Sequence, residues 1–78
     1  LKTMEKSVII KPFEDCRLYI TGKYNSAEPE NNVKSSFEIE SIENLEKDIF
    51  ELLLQATKED FIEELENLCI KEIEENEN

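Results

Sequence analysis

Around Ile42-Glu43-Asn44 the interval between apolar residues changes from two to about 3.6. A strand sends successive side chains to opposite faces, whereas a helix returns to one face every three or four residues, so no single kind of element satisfies both halves of this chain. A β layer must come first and a helical layer second, with the apolar sides of the two facing each other.

Within the first half, Ser7-Val8-Ile9-Ile10-Lys11 is short and β-branched, and Pro12 is expected to end it because proline supplies no donor to a ladder. This predicts a strand over 7–11. Residues 16–24 alternate clearly, with Cys16, Leu18, Ile20 and Tyr24 on one face and Arg17, Tyr19, Thr21 and Lys23 on the other. Gly22 marks a bulge or bend in this second strand. Asn25 to Asn32 has the polarity and turn formers of a surface loop, and residues 33–42 alternate again, with Val33, Phe37 and Ile39 on the core side.

In the second half Leu45, Ile49, Leu52, Leu53 and Ala56 fall on one helical stripe, which predicts a helix over 45–56 with Asn44 as its N-cap. Thr57-Lys58-Glu59-Asp60 reads as a second helix start. The stripe Phe61, Leu65, Leu68, Cys69 and Ile73, widened by Ile62 and Ile70, predicts a helix over 58–74. Residues 75–78 are expected to fray. Leu1 is read as a literally translated start codon or a cloning remnant, with Met4 the alternative start, and residues 1–3 stay outside the fold prediction. The expected architecture is α+β, a three-stranded antiparallel β-meander followed by two C-terminal α-helices packed on one sheet face. At 78 residues it forms a single domain, because so short a chain cannot divide its core.

The net charge is −11, and it is concentrated: residues 1–42 sum to −1, residues 43–56 to −3 and residues 57–78 to −7. Such a balance opposes direct binding to nucleic acid or an anionic membrane, whose phosphates demand Lys and Arg. The partner expected is a protein with a basic surface. Apolar runs fall well short of the roughly 18 residues that span a bilayer, and no signal-peptide pattern is visible, so a cytoplasmic location is expected.

Little in the chain can do chemistry. With no His, acid–base work would fall to carboxylates, Lys or Tyr shifted by burial, and so small an interior shifts them poorly. Carboxylates at helical spacing, such as Glu59 and Glu63, lack a calcium-loop sequence, and one glycine cannot build a phosphate cradle. Cys16 and Cys69 match no zinc or haem spacing and read as two buried thiols. The expectation is therefore a non-enzymatic protein with no cofactor and no metal.

Candidate contacts remain on three surfaces. Glu63, Glu64, Glu66, Glu74 and Glu75 form the acidic side of the last helix, either as a solvated back or as a recognition face. Ile9 and Tyr19 fall on the sheet face away from the helices, expected to be mixed and locally basic, and they offer a place for self-pairing. Phe50 and Leu54 lie off the first helix's stripe and either seal the helix–helix contact or leave a patch for a partner or a homodimer. The acid also suggests a second reading, an inhibitor that imitates nucleic acid, and a third is a minor structural component of an assembly.

The run Tyr24-Asn25-Ser26-Ala27-Glu28-Pro29, then Phe37-Glu38-Ile39-Glu40-Ser41-Ile42 and an acidic helical end, resembles small uncharacterised acidic proteins of tailed phages and gut bacterial mobile elements over roughly residues 17–75. The resemblance implies a phage-like or bacterial origin and no particular activity. The glycine-containing turn expected after the third strand in such proteins is replaced here by Ile42-Glu43-Asn44-Leu45.

Overall fold

The structure is a computed structural model that describes residues 3–47 and 49–76. Three strands, β1 (Thr3–Phe13), β2 (Cys16–Asn25) and β3 (Ser36–Asn44), form an antiparallel meander in the order β1-β2-β3, followed by helices α1 (Phe50–Ala56) and α2 (Phe61–Asn76). The α+β architecture is thus the one that the change of period dictates.

Pro12 does not end the first strand, which runs on to Phe13 instead of stopping at Lys11. The register with β2 slips by one residue between Ile10 and Phe13, so Pro12 sits in a bulge on an edge strand. There its missing N–H costs no ladder bond. Glu14-Asp15 then makes a tight turn, with Asp15 in the left-handed region at φ 58°.

The third strand begins at Ser36, not Val33, and ends at Asn44, not Ile42. Val33 is held in the loop, where its N–H and C=O both bond to Glu28 around a 3-10 turn at Pro29–Asn31. At the other end Asn44 pairs with Leu18, and the Leu45 N–H donates to the Arg17 carbonyl, 2.9 Å. Asn44 therefore caps no helix; its Oδ1 accepts the N–H of Glu46 two residues on. The ladder with β2 claims the backbone through Leu45, and α1 starts only at Phe50, shorter than the predicted 45–56. The predicted second helix, 58–74, is α2, which begins at Phe61 and includes Glu75 and Asn76. Thr57 closes α1 by donating its hydroxyl to the Leu54 carbonyl, 2.8 Å, instead of opening α2.

A second slip, between Thr21 and Gly22, leaves Glu40 as the extra residue of β3. Phe37 and Ile39 face the core before it, and Ile42 and Asn44 share that side after it. Gly22 is required here: a methyl group on its Cα would strike the Glu38 carbonyl oxygen and come within 2.8 Å of the Phe37 ring.

One core joins the layers. Ile10, Cys16, Leu18, Ile20, Tyr24 and Phe37 of the sheet meet Phe61, Leu65, Cys69 and Ile73 of α2, four residues at strict i, i+4 spacing. Leu68 and Ile70 flank this ridge, half-buried, on either side. The helix lies along the sheet between β1 and β3 and covers most of the apolar face, with Leu52 of α1 also packed against the core.

Candidate interaction surfaces

With most of the sheet face taken by α2, α1 has little left to cover. At about 100° per residue, Ile49, Phe50, Leu53 and Leu54 occupy one arc, with Leu52 at its edge. Only Leu52 of these packs against the core, and α1 has no buried residue. The predicted inward stripe is corrected accordingly, since Leu45, Ile49, Leu53 and Ala56 are all exposed. Phe50 is 66%, Leu53 58%, Leu54 49% and Ile49 44% exposed, and Ile62 in the first turn of α2 is 51% exposed. Taking roughly 180 Å² for each large apolar residue, this leaves about 450–500 Å² of apolar surface in one stretch of chain, at the upper end of what monomers tolerate. Phe50 and Leu54 thus belong to an outward patch.

The acidic face of α2 is less uniform than its sequence. Glu63, Glu64 and Glu75 are exposed, Glu66 is half-buried, and Glu74 accepts a hydrogen bond from the Tyr24 hydroxyl at 2.7 Å. That bond ties the C-terminal half of the helix to the end of β2.

The open side of the sheet is organised in cross-strand polar rows. Thr3, Asn25 and Ser36 are linked by side-chain hydrogen bonds, and Ser7 bonds to Thr21 at 3.0 Å. Glu5, Lys23 and Glu38 stand side by side, and the Lys23 ammonium lies 3.8 Å from Glu40. The Glu5 carboxyl is raised above its ordinary value, first by a hydrogen bond with Glu40, then by lost hydration and the Glu40 charge, with Lys23 acting the other way. Arg17 donates to Glu46 at 2.5 Å. Glu5 and Glu43 join this side while Lys34 falls outside β3, so the face is mixed, as expected, but without the local basic excess. Ile9 and Tyr19 pair directly across β1 and β2, 54% and 39% exposed. They form a small apolar island in a polar field.

Cys16 and Cys69 are both free thiols in the same core. Burial pushes the Cys69 thiol up to about 11, with Glu66 adding to it, and burial followed by Glu46 raises Cys16. Neither has the electropositive, accessible setting of a nucleophile. Among the described residues no group of three His, Cys, Asp or Glu is placed to hold a metal ion, and no helix is long and apolar enough to cross a membrane. Compared with protein-family models, curated proteins and solved structures, the chain matches none of them.

Sequence reasoning had Phe50 and Leu54 as surplus residues but assigned Ile49 and Leu53 to the interior. Periodicity reports that a helix has an apolar side; it does not report whether another helix already occupies the place where that side would go.

Proposed function

We propose that this chain is a non-catalytic protein-interaction module that docks a partner through its helical layer, with the outward arc of α1 at the centre of the contact. The observation that carries this reading is the exposure of Ile49, Phe50, Leu53 and Leu54 on one side of a two-turn helix whose Leu52 alone reaches the core. Residues 43–66 around it hold nine acidic side chains and two lysines. An apolar centre with an acidic surround fits a partner that presents apolar residues among Lys and Arg, the charges guiding encounter and the apolar contact holding the complex.

The test is affinity capture from the native host at low and high salt, with wild type, Leu53→Glu and the pair Glu63→Lys/Glu64→Lys. Wild type is expected to retain a partner that Leu53→Glu loses, while the reversed pair weakens it mainly at low salt. Equal retention by Leu53→Glu would refute docking through α1.

Imitation of nucleic acid is the second reading, and it has less support. Of its five carboxylates Glu66 is half-buried and Glu74 is bonded to Tyr24. Loss of the partner on reversing Glu63 and Glu64, with Leu53→Glu unaffected, would favour it. An origin in a tailed phage or a gut bacterial element belongs to the proposal on the strength of the resemblance alone, and a minor structural place in an assembly is a third reading, tested by whether the protein co-fractionates with particles.

A further inference from the structure

We propose that two copies of this chain pair antiparallel along the outer edge of β1, about a two-fold axis at Val8, to make one six-stranded sheet. The strand is an edge strand of eleven residues, and its register with β2 is unbroken from Thr3 to Ile10. A row of backbone donors and acceptors on such an edge is a template for another strand. The opposite edge is unsuited to self-pairing: β3 is interrupted at Glu40 and carries Glu38, Glu40 and Glu43, which two copies would set against one another.

Charge selects both the edge and the register. Residues 1–42 sum to −1 while residues 57–78 sum to −7, so β1 belongs to the part of the chain where two copies repel least. With the axis at Val8, each Glu5 lies opposite the second copy's Lys11, a pairing made twice. Moving the axis to Ile9 sets Glu5 opposite Phe13, and moving it to Ser7 sets Lys11 opposite Thr3.

The open face supplies a reason for this pairing. Glu5 and Glu38 flank Lys23 in one cross-strand row, and the Lys23 ammonium lies 3.8 Å from Glu40, so among these described residues three carboxylates stand around one ammonium. A lysine arriving across the β1 edge redresses the imbalance. Lys11 itself makes a long, exposed ion pair with Glu14, 3.9 Å, which is worth little and is easily redirected.

On the helix side the same register places the second copy's Lys6 opposite Ile10. Ile10 borders a groove that runs beside β1 and is lined by Leu68, Lys71, Glu72 and Glu75. An ammonium there meets the carboxylates of Glu72 and Glu75 alongside the cations Lys11 and Lys71, so this side adds little net charge pairing, and Val8 meets Val8 over the axis. The apolar arc of α1 is not used, so self-pairing leaves the proposed docking surface open.

Sedimentation equilibrium from about 1 µM to about 1 mM tests this, with circular dichroism showing that each variant keeps its fold. Wild type is expected to dimerise reversibly. Glu5→Lys and Lys11→Glu should each raise the dissociation constant about tenfold or more, and the double variant should return within about threefold of wild type. Leu53→Glu should leave the dimer unchanged. A monomer throughout the range, a dimer indifferent to both single reversals, or one dissolved by Leu53→Glu would overturn the proposal.

Discussion

Two leucines of one chain, in neighbouring helices, give the sharpest measurement of how the helical layer is arranged. Leu65 is fully buried, 0% exposed, between α2 and the sheet, while Leu53 on α1 is 58% exposed. Replacing Leu65 with Ala loses the transfer free energy of the side chain and leaves a cavity that a packed core fills only partly, about 3 to 4 kcal/mol together. Fully burying a leucine is worth about 1.5 to 3 kcal/mol. Leu53 buries less than half of itself, water replaces what Ala removes, and Ala is the better helix former, so Leu53→Ala should cost under about 1 kcal/mol. A domain of this size holds only about 4 to 12 kcal/mol in total. With a urea slope of about 1 kcal/mol/M, the Leu65 variant should lose roughly 3 M of midpoint or fail to fold, and the Leu53 variant less than about 1 M. Equilibrium unfolding followed by circular dichroism at low protein concentration reads both, and dilution keeps self-association out of the comparison. Equal losses at the two positions would mean that α1 packs inward, and the docking surface would disappear with that result.

Three further outcomes follow from the geometry. Gly22→Ala should destabilise by about 2 kcal/mol or more, because the added methyl meets the Glu38 carbonyl and the Phe37 ring; a near-neutral urea midpoint would show that the bulge relaxes freely. A thiol reagent at pH 8 should modify Cys16 and Cys69 only as fast as the chain opens, since both are buried and their thiols are raised above the ordinary range; a burst of labelling in the native protein would contradict the packing. Glu5 has its folded value raised above 4.5, so the folded chain holds a proton that the unfolded one releases. Its contribution is full below 4.5 and is lost as pH rises through the raised value, a downward slope in stability that Glu5→Gln should remove.

Residue spacing alone identified the type and order of the elements, the buried faces of β2 and α2, and the irregularity at Gly22. Those properties are local: a period of two or of 3.6 is written in consecutive residues, and Phe61, Leu65, Cys69 and Ile73 carry their phase with them. What only the tertiary structure decided depends on partners distant in sequence. Arg17 and Leu18 draw Asn44 and Leu45 into the sheet, where the local pattern favours a helix, and Glu28 keeps Val33 out of β3. Pro12 stays within β1 because an outer strand needs no donor at that point. The direction in which α1 faces is also a tertiary matter: α2 spans the apolar side of the sheet from β1 to β3, Leu52 of α1 reaches the core beside it, and Ile49, Phe50, Leu53 and Leu54 are left toward solvent.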